Sequence, residues 1–260
     1  MATTEIAPSG SATTADRKPI VNDFSIQVAT ANGSGSQSAN SILLRSIFQM
    51  GVPVSGKNLF PSNIAGLPTW FTIRASKKGY IARKKEIDFV VAMNPETARE
   101  DALALAPGAA ILYDEPLKLN ELRSDLIFYS VPFDKIVAAV CPEAKLRKLV
   151  KNMIYVGVMA QLLNLEMVEV EKALRKQFAK KVKAAELNWN AAKAGYDYAA
   201  ASLTKADPFT VERMDKTSGM IIIDGNAAAA LGCMFAGVTV VTAVWVPPPA
   251  LAVWTTSSGA

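Results

Sequence analysis

At positions 33–37 the chain reads Gly-Ser-Gly-Ser-Gln, and helical apolar spacing follows directly after it. A glycine turn that opens a helix presents unpaired backbone N–H groups and the positive end of the helix dipole. That chemistry suits an anion such as a phosphate. Gly33, Ser34, Gly35, Ser36 and Gln37 are therefore the first candidate binding residues. The alternative is a turn in which the glycines serve tight backbone geometry alone, and the spacing leaves both readings open. The dinucleotide-binding fingerprint is absent: Ser38 stands where a third glycine is required, and no acidic residue closes the next strand at the needed distance.

A second stretch, 56–70 (GKNLFPSNIAGLPTW), is dense in residues that turn the chain or contact a ligand. Loops this long inside a compact domain are usually functional. Ser62 and Asn63 offer capping or ligand hydrogen bonds, Gly66 and Pro68 fix a turn around Leu67, and Trp70 offers a planar contact. Packing between domains is the alternative use of such a loop. Two basic clusters follow: Lys77, Lys78, Arg83, Lys84 and Lys85, then Lys145, Arg147, Lys148 and Lys151. Solvated faces are the ordinary reading of such runs, and contact with a large anionic ligand is the functional one. Aromatic residues do not interleave with them, which argues against a single-stranded nucleic-acid platform.

What is missing narrows the chemistry further. The 260 residues contain no histidine and only two cysteines, Cys141 and Cys233. Ser-His-Asp and Cys-His catalysis, His-ligated metals, CxxC redox pairs and four-thiolate clusters are excluded within this chain. Both cysteines read as small buried apolar residues, and a reducing, cytoplasmic compartment is expected. A net charge of +5 is compatible with an anionic small molecule or an acidic partner.

The elements that must position these residues follow from periodicity. Residues 1–21 are rich in Ala, Thr and Ser and read as a disordered leader, with order beginning at Phe24. Residues 24–30 read as a buried strand, 31–36 as a turn and 37–50 as a helix, followed by a long loop from 51 to 68. Strands are predicted at 69–76, 87–93, 109–113 and 126–131, with helices from Pro95 and from Asp134. Residues 145–204 read as three amphipathic helices and 205–218 as a linker. Residues 219–225 are predicted as a strand that opens a second unit. The twenty uncharged residues 227–246 have the length of a membrane span. A buried helix followed by a buried strand is the preferred reading, because Gly232 and Gly237 interrupt the run and Val238 to Thr242 favour a strand. The fold class is thus α/β: a mixed, largely parallel sheet flanked by helices, then a helical stretch, then the first strand-helix-strand of a second α/β domain.

Three stretches, GSGSQSANSILLRSIFQMG, NLFPSNIAGLPTWFTIRAS and GNAAAALGCMFAGVTVV, resemble the α subunit of 2-oxoacid:ferredoxin oxidoreductases with an N-terminally fused γ domain. The resemblance spans roughly residues 22–242. It implies a γ domain over 22–204 and the start of a thiamine-facing domain over 219–242. It also implies oxidative decarboxylation of a 2-oxoacid with coenzyme A to an acyl-CoA. Thiamine diphosphate, Mg and an iron–sulfur cluster would be held mainly by a partner β subunit, with electrons passing to ferredoxin. That division of labour accounts for the missing histidines and cysteines, since the hard chemistry belongs to cofactors. Carried over by residue, Gly33, Gly35, Ser36 and Gln37 match the γ-domain glycine turn. Ser62, Asn63, Gly66, Leu67 and Pro68 match its long loop, and Gly225, Asn226 and Ala227 match the start of the thiamine-facing domain. After Val240-Val241-Thr242 the family continues with an aromatic residue and Pro-Ile-Thr-Pro-Ser-Ser, whereas this chain reads AVWVPPPALAVWTTSSGA. Residues 243–260 are thus expected to be a non-family tail on a truncated domain, with an exposed apolar patch and no turnover by the isolated chain. Two other functions stay open: a non-catalytic coenzyme A- or nucleotide-binding module, and a soluble domain anchored in a membrane through residues 227–246.

Overall fold

A computed structural model describes residues 18–59, 67–245 and 250–255. The chain divides into two compact units, one ending at Ser218 and one beginning at Gly219. In the first unit a six-stranded sheet has the order β3-β4-β2-β5-β6-β7. Its strands are β2 (Asp23–Ala31), β3 (Val54–Leu59), β4 (Pro68–Ser76), β5 (Phe89–Ala92), β6 (Ala110–Asp114) and β7 (Ile127–Val131). The neighbours β2-β5, β5-β6 and β6-β7 are parallel; β4 slots antiparallel between β2 and β3. The fold is therefore α/β with a mixed, largely parallel sheet flanked by helices.

Strand alternation explains how both faces of this sheet are covered. In β5, Phe89 and Val91 enter one apolar cluster with α1 (Ser36–Gln49) and α4 (Ala144–Leu162). Val90 and Ala92 enter a second cluster with α2 (Ala98–Leu103). All four residues are buried, as a strand inside a parallel sheet requires. Helix α3 (Phe133–Val140) follows β7. The helices α4, α5 (Met167–Gln177) and α6 (Val182–Ser202) then complete the unit, in the three-helix stretch expected between 145 and 204.

Several expectations are corrected. Order does not begin at Phe24: β1 (Ile20–Val21), placed in the expected leader, pairs in parallel with β8 (Phe209–Thr210). The segment 205–218 is packed rather than a free linker. Asp207 and Val211 are buried, and the backbone N–H groups of Met214 and Lys216 donate to the carbonyls of Met50 and Gly51. The expected long loop after residue 51 contains β3, whose exposed, alternating edge residues carry little apolar signal. Pro95 does not begin a helix; α2 starts at Ala98, after a turn in which Asn94 Oδ1 accepts from the Glu96 N–H.

The second unit holds α7 (Gly225–Phe235), capped by Asp224 Oδ1 accepting from the Ala227 N–H, and an antiparallel hairpin of β9 (Val240–Trp245) and β10 (Ala250–Thr255). The strand expected at 219–225 does not form: residues 220–224 lack strand structure, with Met220 and Ile221 exposed. The helix and strand expected in the apolar run are present, but α7 is not buried: none of its residues is, and Phe235 is 91% exposed. Among the described residues no helix is long and apolar enough to cross a membrane.

Candidate functional site

The end of β2 and the start of α1 build the site. Gly33 and Gly35 both sit in the left-handed region, φ 80° and 81°, which side chains other than glycine adopt at a cost. Gly35 is also the N-cap residue of α1, and a Cβ there would lie 2.7 Å from Leu149 Cδ2 on α4. Among the described residues no side chain caps the first turn of α1. Its N–H groups, which no preceding turn can satisfy, are left for solvent or a ligand.

Beneath the turn a buried polar network fixes its shape. Thr30 Oγ1 and Ser36 Oγ share a hydrogen bond of 2.8 Å. Asn152 Nδ2 donates to the Ser34 carbonyl at 2.8 Å, and the Tyr155 hydroxyl donates to Asn40 Oδ1 at 2.8 Å. Complete burial pushes the Tyr155 hydroxyl pKa upward, so it remains a neutral donor. With Oδ1 engaged, Asn40 keeps its Nδ2 donors for the cleft it lines. Each contact spans more than a hundred residues of sequence except Thr30–Ser36, so α4 acts as the platform on which the turn rests.

Above the turn lies a cleft of about 460 Å³, lined by Thr30, Gly33, Gly35, Ser36, Gln37 and Asn40, and closed by Asn58 of β3 with Thr69 and Phe71 of β4. The second predicted segment reaches the same place: the Leu67 carbonyl accepts from the Asn32 N–H at 2.9 Å, and Pro68 pairs with Ala31. Ser34 does not line the cleft; it offers its carbonyl to Asn152. Ser62, Asn63 and Gly66 lie outside the described residues. The cleft thus occupies the carboxyl edge of the sheet, where open α/β sheets receive ligands.

The sequence reading missed Thr30, Asn40, Asn58, Thr69 and Tyr155. One signal was available for Asn40: a carboxamide at helical spacing with Leu43 and Ile47, both fully buried, marks a polar group on a core-facing stripe. Trp70 does not present its face as a free contact; its Nε1 donates to Asp101 Oδ1 at 2.9 Å. Burial raises the Asp101 pKa against the lowering effect of that bond. The two basic clusters part company. Residues 77–85 are all exposed, and only Lys84 of the cluster's cations forms an ion pair among the described residues. Lys151 is half-buried between Asp114 and Asp134, at 2.6 and 2.8 Å, and Arg147 donates to the Cys141 carbonyl. Burial opposes the charge on Lys151, but the two carboxylates overcome it and raise its pKa. This second cluster is partly structural. Cys141 is buried as expected and Cys233 is exposed, contrary to expectation.

A mixed, largely parallel sheet flanked by helices, with a glycine turn, an uncapped helix N-terminus and a cleft at the strand ends, defines an open α/β domain. The comparisons with known proteins narrow that class. The family model for pyruvate ferredoxin/flavodoxin oxidoreductase matches residues 25–198, and the chain belongs to that family. The alpha subunit of 2-oxoacid:ferredoxin oxidoreductase 2 from Aeropyrum pernix is 22% identical over 259 aligned residues, covering 85% of this chain and 40% of that protein. The chain therefore spans about 40% of the length of that curated relative. A solved 2-oxoglutarate:ferredoxin oxidoreductase from Magnetococcus marinus, with 2-oxoglutarate, coenzyme A and succinyl-CoA bound, matches at TM-score 0.74 and 28% identity. That match covers 83% of this chain and 37% of the solved one. A keto/oxoacid ferredoxin oxidoreductase gamma subunit from Geobacter sulfurreducens shares the fold at TM-score 0.55 and 17% identity. It is matched over 99% of its length by 69% of this chain.

Proposed function

We propose that this chain builds the coenzyme A side of a 2-oxoacid:ferredoxin oxidoreductase, as a γ-type domain followed by the start of a thiamine-facing domain. The carrying observation is the cleft over the 33–37 turn, with the unsatisfied N–H groups of α1 beside it. In support stands the Magnetococcus enzyme, solved with coenzyme A bound. The reaction is oxidative decarboxylation of a 2-oxoacid, with transfer of the acyl group to coenzyme A and of electrons to ferredoxin. A β subunit is the partner.

The chain's own residues do not fit the other cofactors of such an enzyme. Among the described residues no cluster of His, Cys, Asp or Glu is able to hold a metal ion. Two cysteines in the whole chain, one buried and one exposed, cannot ligate an iron–sulfur cluster alone. In this reading thiamine diphosphate, Mg and the cluster are held mainly by the partner subunit. What this chain contributes is binding and orientation. None of the described residues lining the cleft titrates near neutral pH, so it transfers no proton; its amides and hydroxyls hold the co-substrate in place.

The test is reconstitution. The chain combined with a β subunit and the remainder of a family α subunit is expected to support acceptor reduction that depends on both a 2-oxoacid and coenzyme A. The isolated chain is expected to give no turnover. Turnover by the isolated chain without thiamine diphosphate overturns the proposal.

A further inference from the structure

Five of the nine residues 77–85 are cations: Lys77, Lys78, Arg83, Lys84 and Lys85. None of the nine is acidic, and the net charge of the whole chain is +5. All nine are exposed. Among the described residues only Lys84 has a countercharge, Asp23 at 3.8 Å, and Asp23 is already engaged by Arg74. Between the cations stand two large apolar side chains, Tyr80 at 63% and Ile81 at 76% exposure. Single exposed apolar residues are ordinary on a surface. Two side by side within a block of unpaired cations form the pattern of an interface, an apolar centre with a charged rim.

The backbone holds this run in a fixed place. The Lys77 N–H donates to the Asn22 carbonyl at 2.6 Å, and the Gly79 N–H donates to the Ser76 carbonyl at 2.9 Å. Gly79 turns the chain with φ 84°, and the Tyr80 N–H donates to Ser76 Oγ. The Ser55 hydroxyl on β3 donates to the Ile81 carbonyl at 2.9 Å. Lys216 Nζ donates to the Lys77 carbonyl at 2.6 Å and adds a sixth cation.

The run also stands apart from the cleft. It leaves β4 at Ser76, which pairs with Asp23, whereas Thr69 and Thr30 of the cleft pair at the other end of the same strands. Asp23 and Thr30 are thus about 23 Å apart along β2, at about 3.3 Å per residue. Charges are screened over about 8 Å in physiological salt, so these cations do not serve the ligand of the cleft.

We propose that residues 77–85 are a docking surface for an acidic patch on a partner protein. Tyr80 and Ile81 are its apolar anchors and the five cations its rim. Two other polyanions fit less well. A nucleic-acid strand calls for stacking aromatics, and Tyr80 is the only one in the run. An anionic membrane calls for apolar area: a whole acyl chain gives only marginal binding, and two side chains bury less. A protein surface uses both features, since complementary charge steers the encounter and buried tyrosine and arginine hold it. None of this depends on what the cleft binds.

Fluorescence anisotropy on the full chain provides the test, with a labelled peptide of repeating Glu-Glu-Leu as probe. Labelled poly-glutamate of equal charge and a single-stranded oligonucleotide are compared with it, and phosphatidylserine vesicles are compared by co-sedimentation. The Glu-Glu-Leu peptide is expected to bind at least about tenfold tighter than poly-glutamate. Reversing Lys77→Glu, Lys78→Glu and Lys85→Glu together is expected to weaken it at least about tenfold and to flatten its salt dependence. Tyr80→Ser with Ile81→Ser is expected to bring the peptide down to the poly-glutamate level and to leave poly-glutamate binding unchanged. All five positions are exposed, so the variants are expected to keep the parent's circular dichroism spectrum and unfolding midpoint. No binding of the peptide, equal binding of the two peptides, or an affinity untouched by charge reversal overturns the proposal. Tighter binding of the oligonucleotide or the vesicles than of the peptide overturns it too, in favour of that polyanion.

Discussion

Helices α6 and α7 are built from the same small residues and meet opposite fates. In α6, Ala191, Ala192 and Ala199 are buried, and Gly195 lies so close to α4 that a Cβ there would overlap the Ile154 carbonyl. Gly157 of α4 answers it: a Cβ at that position would overlap the Ala192 carbonyl. Two glycines let two backbones touch, and the side chains around them form the main apolar cluster. In α7, by contrast, Gly225 and Gly232 face open space, and Leu231, Met234 and Phe235 are exposed. Small residues make an interface only where a second helix is present to use them. The first unit pairs its small-residue helices; the second leaves an apolar helix uncovered among the described residues.

The largest expected effect breaks the close crossing. Gly157→Val forces a branched side chain into the Ala192 backbone, and a loss of about 3 kcal/mol or more is expected in urea unfolding followed by circular dichroism. Gly195→Ala adds a single methyl group at the same crossing and is expected to cost about 2 kcal/mol. The same substitution in the other helix should reverse its sign. Gly232→Ala meets no neighbour within 4 Å and replaces a poor helix former by the best, so α7 is expected to gain about 0.5–1 kcal/mol, read as slower amide exchange. Equal destabilisation by Gly195→Ala and Gly232→Ala would remove the contrast. Phe235→Ser is expected to leave unfolding within about 0.5 kcal/mol and to lower light scattering from concentrated samples.

A smaller effect follows from Asp101, whose pKa burial raises above 3.8. The folded state then binds a proton more readily than the unfolded state. Stability is therefore gained as pH falls from neutral through the raised pKa, and the gain is complete below 3.8. Asp101→Asn retains an acceptor for Trp70 and carries no charge. It is expected to be more stable than the parent at neutral pH, with that advantage vanishing in acid; a constant difference across the range contradicts the argument.

The same contrast shows what the sequence carries. Local signals were enough for β2, for the glycine turn, for α1 and for the three helices α4, α5 and α6, because propensity and periodicity decide them. They were enough for α7 as a helix, but not for its exposure, which depends on what packs against it. Residues 219–224 are apolar enough for a strand and find no partner strand among the described residues. Ile20–Val21 and Phe209–Thr210 are too short to show any period, yet they pair across the whole first unit. At the site, Gly33, Gly35, Ser36 and Gln37 were legible as a turn with exposed N–H groups. Tyr155 and Asn152 were not, since nothing local connects them to a turn more than a hundred residues away. Asn58 and Thr69 enter the cleft through strand register, which no single-chain pattern specifies.

The claim that the 33–37 turn holds coenzyme A is tested most directly by calorimetric titration of coenzyme A into the folded chain and into Gly33→Val. A Cβ at Gly33 meets nothing within 4 Å, but the residue sits in the left-handed region at the cleft wall, so the substitution strains the turn by about 1–2 kcal/mol and places methyl groups beside the cleft. The expected result is saturable binding of one coenzyme A per chain, weakened at least about tenfold in Gly33→Val. Affinity unchanged by Gly33→Val, or no binding by the folded parent chain, contradicts the account.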